Sequence, residues 1–160
     1  MGSGKTTIGK ALSERKNVPF IDCDRYLEEQ ENQTISDVFK SKGESYFREK
    51  ESEFLCTLVL TKPSVISTGG GCVTVSQNNI MLKKLGYVIY LHCDLPILTE
   101  RLSFQRHKRP LLTGDDYKND LKQLFEKRVP LYRTVADLEV DTTSESIDSL
   151  VTKVMNAFDK

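Results

Sequence analysis

Gly2, Ser3, Gly4, Lys5, Thr6 and Thr7 open the chain, directly before a stretch in which Ile8, Ala11 and Leu12 share one helical face. Glycines at such spacing let backbone N–H groups turn toward an anion, and the N-terminus of the following helix adds its dipole. A lysine placed as Lys5 is reaches β- and γ-phosphates, and a hydroxyl placed as that of Thr6 is a ligand for Mg²⁺. Gly4-Lys5-Thr6 fits the end of the pattern G-x-x-x-x-G-K-[ST], whose first glycine would fall two places before Met1. A loop of this kind follows a strand that lies in the middle of its sheet. The expectation is a start site set too late or a lost segment. The neighbouring strands would then orphan backbone groups at about 1–3 kcal/mol each.

Two acids come next. Asp22 and Asp24 in "FIDCD" stand two apart, which on a strand sends both side chains to one face at its carboxyl end, where open α/β sheets bind ligands. One would act near Mg²⁺ and the other would accept a proton from a substrate hydroxyl. A turn or helix cap in "DCDRY" is the alternative. Arg48 and Glu51 lie three apart on one helix face, a spacing that taken alone reads as a solvated ion pair. "TGGG" (68–71) costs chain entropy, so the expected reason for Gly69, Gly70 and Gly71 is close approach of a ligand to backbone. Arg106, His107, Lys108 and Arg109 precede "PLL", and Arg128 precedes "VPLY". The basic and then polar segment at about 105–118 is expected to be a mobile lid that supplies an arginine to a transferring phosphoryl group. His92 and His107 stand in no arrangement that suggests chemistry.

The elements that must position these residues alternate. "VPFIDCD" reads as a short strand. "TISDVFKSKG" reads as a helix with a Thr cap and a Gly stop, and "ESYFREKESEFLCTLVL" as a longer one with Phe47, Phe54, Leu55 and Leu58 inward. "SVISTGGG" is a strand running into glycines, and "GYVIYLHCD" a near-continuous apolar strand of the kind buried on both faces. A helix follows at about 96–104, then the lid segment, then "KNDLKQLFEKRVPLY", helical up to its proline. "DLEV" is a last strand, and Ile147, Leu150, Val151 and Val154 recur at helical spacing in a closing helix. Alternating β and α elements imply a parallel sheet covered on both faces, a three-layer α/β domain.

Bulk properties exclude several classes. The 160 residues are enough for one domain, 1–160, and 23 basic against 23 acidic side chains leave no net charge. That balance argues against nucleic acid or a membrane surface as partner. No apolar run approaches the roughly 20 residues of a spanning helix, and the start has no secretory core, so a cytoplasmic protein is expected. Cys23, Cys56, Cys72 and Cys93 form no C-x-x-C pair, which points to reduced, mostly buried thiols.

"GSGKTT", "FIDCD", "GESYFREKE", "VISTGGG", "RPLL" and "KRVPLY" occur in an order that resembles the shikimate kinase family, one of the nucleoside-monophosphate-kinase-like P-loop folds. The likeness runs from Gly2 to about Asp141. It implies a three-layer P-loop kinase with a parallel sheet, here without its first, central strand, and a monomer that transfers the γ-phosphate of ATP to the 3-hydroxyl of shikimate. By position it implies that Gly2 to Thr7 bind the nucleotide, with Lys5 catalytic and Thr6 and Asp22 holding Mg²⁺. Asp24 would be the base, Arg109 the lid arginine, and Arg48, Gly69, Gly70, Gly71 and Arg128 the grip on substrate, its carboxylate clamped by the arginines. The family often carries an adenine-contacting arginine just after the last strand. "VDTTSES" offers Thr143, Ser144 and Glu145 there, which leaves Arg101 as the candidate to stack on adenine and contact the nucleotide. The competing readings are a gluconate kinase-like enzyme and a truncated, non-catalytic anion-binding module.

Overall fold

The periodicities close into helices and short strands in a computed structural model, which describes residues 2–58, 62–103, 110–112 and 116–158. In chain order the elements are α1 (Lys5–Lys16), β1 (Phe20–Asp22), α2 (Cys23–Glu31), α3 (Ile35–Thr57), β2 (Val65–Ser67), α4 (Ser76–Leu85), β3 (Ile89–His92), α5 (Leu95–Ser103), α6 (Tyr117–Val135), β4 (Leu138–Asp141) and α7 (Ile147–Phe158). Short 3₁₀ turns form at Cys72–Thr74 and Pro110–Leu112.

Helix α1 presents Ile8 and Leu12 to a cluster with Val140, Leu150, Val151 and Val154, so α1 and α7 cover one side of the strands. A second cluster joins Leu27, Val38, Phe47, Phe54, Leu55 and Leu82 from α2, α3 and α4. The third holds Cys93, Leu98, Leu102, Leu112 and Leu121, and packs α5 and α6 together. Arg15 ties α1 to α7 through Asp148 at 2.9 Å and Thr152 at 2.9 Å.

All strand pairs are parallel. β1 runs beside β2 with Phe20 opposite Val65, and β3 beside β4 with Ile89 opposite Leu138. Among the described residues no ladder joins the two pairs. Instead a cavity of about 990 Å³ is lined from both, by Val65 and Ile66 of β2 and by Ile89, Tyr90 and Leu91 of β3. The consequence shows in β3. Its apolar run suggests a strand buried on both faces, yet Ile89–His92 are only half-buried, because that cavity opens alongside them.

Three helices depart from the sequence reading. Thr34 caps α3 as expected, accepting from the Asp37 N–H at 3.2 Å, but Gly43 bends the chain rather than ending the helix. Its φ of 84° lies in the left-handed region that glycine adopts freely, so one kinked element spans both predicted helices. Pro130 does not stop α6. The turns beyond it bury Val135 and pack Leu131 and Tyr132 into the core, which outweighs one missing N–H. The helix α4 has no sequence signal at its start, since Val75 stands at the cap without a side-chain acceptor. It is anchored by Asn78, whose buried amide donates to the Cys72 carbonyl at 3.1 Å. Among the described residues no helix is long and apolar enough to cross a membrane.

Candidate active site

The glycine loop adopts the conformation its composition suggests. Gly2 and Gly4 take φ of 71° and 87°, left-handed values that turn successive N–H groups toward one side. Gly4 is the N-cap of α1 and Lys5 its first residue, so the helix dipole points at the loop. Ser3 is buried, Lys5 is half-buried, and Thr6 and Thr7 are exposed. The loop is held from behind. The Thr142 hydroxyl lies 2.8 Å from the His92 carbonyl and 3.2 Å from that of Ser3, its one hydrogen serving either. Arg101 reaches the Thr142 carbonyl at 3.1 Å, the Cys93 sulfur at 3.3 Å and the Gly2 carbonyl at 3.5 Å. Thr142 escaped the sequence reading because a buried threonine leaves no pattern. Arg101 was expected beside a base, and its guanidinium lies at the loop's foot.

The two acids divide differently from the expectation. They do not share a strand face, because β1 ends at Asp22 and the chain turns into α2 there. Asp22 is the N-cap of that helix, its Oδ1 accepting from the Arg25 N–H at 3.4 Å, while its Oδ2 accepts the Thr6 hydroxyl at 3.0 Å. The cap reading of "DCDRY" thus holds for Asp22, which also bonds the other residue expected to hold the metal, Thr6. Asp24 lies in the first turn of α2, with its Oδ1 3.1 Å from where a Cβ on Gly69 would sit.

Arg48 and Glu51 are not a solvated pair. The Glu51 side chain has no exposure and that of Arg48 only 12%, and Nη1 of Arg48 donates to Oε2 of Glu51. Glu44 holds the other edge of the guanidinium at 2.9 and 3.1 Å, and the rings of Phe39 and Phe47 lie within 5.8 and 5.5 Å of it. Burial drives the Glu51 carboxyl above the ordinary range, Asp24 adds to the rise, and Arg48 and Arg128 oppose it. Oε1 of Glu51 and Nε of Arg128, both buried, have no partner among the described residues.

Two of the three glycines lie directly against this pair. A Cβ on Gly69 would stand 2.0 Å from Oε1 of Glu51, and one on Gly71 would stand 2.2 Å from the guanidinium carbon of Arg48. A side chain at either place would force Glu51 or Arg48 out of its buried position. Neither glycine has positive φ, so the requirement is space, not conformation. A ligand was the expected neighbour, and what stands against Gly69 and Gly71 in the structure is the protein's own ion pair. From the other side Tyr132, one helical turn beyond the buried Arg128 on α6, donates its hydroxyl to the Gly70 carbonyl at 2.5 Å. Tyr132 closes the "KRVPLY" motif, which was read for Arg128 alone, and its i,i+4 spacing from that arginine was a usable signal.

The phosphate loop and the glycine turn open into one cavity, whose lining includes Ser3, Lys5, Gly69, Gly70, Arg128 and Tyr132. Two thiols beneath it are chemically idle. Burial pushes Cys72 up to about 12 and Cys23 higher still, which removes any thiolate nucleophile at neutral pH. Cys23, Cys72 and Cys93 are buried and Cys56 is exposed, and all four are free thiols. Arg109 and the rest of the basic run lie outside the described residues. Of the predicted lid, Pro110–Leu112 form a turn with Leu112 buried.

Comparison with known proteins agrees with this geometry. The family model described as shikimate kinase matches residues 1–159. The shikimate kinase of Ruegeria pomeroyi is 41% identical over 160 residues, covering 98% of this chain and 80% of that protein. That of Cereibacter sphaeroides is 40% identical over 159 residues, 98% of this chain and 78% of its own length. The structure of the Acinetobacter baumannii shikimate kinase in complex with shikimate superposes with a TM-score of 0.94 at 34% identity, covering 99% of this chain and 88% of that one. A phosphate loop, a buried Arg48–Glu51 pair seated on a glycine turn and a match over residues 1–159 lead to one conclusion: the chain belongs to the shikimate kinase family.

Proposed function

We propose that this chain transfers the γ-phosphoryl group of ATP to the 3-hydroxyl of shikimate, giving shikimate 3-phosphate and ADP, a step toward chorismate and the aromatic amino acids. Family membership over nearly the whole chain carries the reading. The loop amides and Lys5 hold the nucleotide's phosphates. Asp24 takes the proton of the attacking hydroxyl as its oxygen bonds to phosphorus and the bond to the ADP oxygen breaks. Arg48 and Arg128 clamp the substrate carboxylate, Glu51 keeps Arg48 aimed, and the unpartnered Nε of Arg128 is a donor in want of an acceptor. Arg109 serves as lid arginine, and Arg101 contacts the nucleotide from the loop's foot. Every group named comes from this one chain, and it acts as a monomer.

The Thr6 hydroxyl and the Asp22 carboxylate, 3.0 Å apart, are oxygen donors of the hard kind that suits Mg²⁺. Thr6 and Asp22 would hold that ion, and it would supply positive charge to offset that of the phosphates.

The test is a coupled assay for ADP formation with shikimate and gluconate in parallel. Turnover with shikimate alone is the expected result. Turnover with gluconate would favour the rival sugar-acid kinase, and ATP binding without turnover on either would favour a non-catalytic module. Arg48→Leu and Arg128→Leu should each raise KM for shikimate about 30-fold, with KM for ATP nearly unchanged. Removing one partner of a desolvated charge pair costs about 2 kcal/mol or more. A rise in KM for ATP alone would show that the arginine belongs to the nucleotide side.

A further inference from the structure

We infer that Tyr132 is a positioning residue for the substrate site, fixing the orientation of the Gly70–Gly71 peptide through the hydrogen bond from its hydroxyl to the Gly70 carbonyl. The inference rests on the shikimate kinase reading. A trans peptide is rigid and planar, and its C=O and N–H point to opposite sides. No peptide bond described here is cis. Directing the Gly70 carbonyl at α6 therefore aims the Gly71 N–H away from α6. The Gly69 N–H faces the Cys23 sulfur, so that amide is turned toward the core. The Gly70–Gly71 unit is the part of the turn whose direction must be set from outside, because glycine itself resists few rotations.

Tyr132 is built to do this. Its ring stacks on Tyr90 with centroids 4.9 Å apart and planes 27° apart, so the hydroxyl is presented by a packed side chain. The Arg128 guanidinium lies beside that hydroxyl and opposes the rise that burial imposes on it. One phenol thus touches both an arginine of the proposed carboxylate clamp and the glycine backbone, and it couples α6 to the turn after β2. With Glu51 against Gly69 and Arg48 against Gly71, all three glycines are braced by a different side chain.

Tyr132→Phe removes the hydroxyl and keeps the ring stack. Losing one such hydrogen bond is worth roughly 3- to 10-fold. The expected result is a rise of about that size in both KM and Kd for shikimate, with KM for ATP and Tm close to wild type. Tyr90→Phe is the control, since its hydroxyl bonds His92 at 3.1 Å and does not touch the glycines. It should leave shikimate affinity unchanged. Unaltered shikimate affinity in Tyr132→Phe overturns the inference, as does an equal loss in both variants or a loss shared by ATP. If Tyr132→Phe fails to fold while Tyr90→Phe folds, the hydroxyl serves stability and the inference also fails. A wild-type chain that binds no shikimate would sink the functional reading first and the inference with it.

Discussion

Lys5→Ala is expected to lower shikimate-dependent ADP formation by roughly 10²–10³-fold with a small change in Tm, the loss typical of one charge that stabilises a transferring group. Lys5 follows a left-handed Gly4 and begins α1, at the point where the loop amides and the helix dipole converge. It is half-buried at the cavity wall and outside the three apolar clusters, so folding depends on it little. The measurements are steady-state turnover at saturating shikimate and thermal melting. A folded variant with near-wild-type turnover would remove the phosphate-loop assignment.

Fusing about eight residues of apolar, β-branched character ahead of Met1, ending in Gly-x, should raise Tm by about 10 °C and raise turnover with it. Such a segment supplies the roughly five to six residues of one strand plus the lead into the loop. The place for it is visible. Among the described residues neither β2 nor β3 hydrogen-bonds to the other pair, and the cavity of about 990 Å³ lined by both is largely apolar, with Leu12, Leu55 and Val154 in its wall. A strand seated there would pair on both sides and bury both faces. Each Val or Ile so buried contributes about 1.5–3 kcal/mol, against roughly 1–2 kcal/mol per residue for ordering the backbone. A net gain of a few kcal/mol moves Tm by about 2–4 °C per kcal/mol in a domain of this size. Turnover should follow because the added strand would anchor Gly2 and Gly4 from their N-terminal side. Identical melting and identical turnover in the 160-residue and the extended chains would show that an added strand does not seat between β2 and β3.

The sequence by itself determined the family and the alternation of helices with parallel strands. Phosphate loops, caps and glycine turns are local devices, and local backbone chemistry is written in neighbouring residues. Thr34 capped its helix as read, and Gly2 and Gly4 took the left-handed angles their positions asked for. What the sequence could not decide was which partner each residue meets at long range. The i,i+3 spacing of Arg48 and Glu51 is the same for a solvated pair and a buried one. Only the packing of α3 onto the glycine turn removes the water, leaving Glu51 with no exposure. The three glycines suggested close approach of a ligand, and only the fold showed Glu51 and Arg48 standing against Gly69 and Gly71. Asp22 and Asp24 were separated by a helix that starts between them, since a cap residue serves either a strand end or a helix start until its neighbours choose. Tyr132 stood in the "KRVPLY" motif, but its role stayed hidden because its acceptor, a backbone carbonyl 62 residues away, has no side chain to betray it.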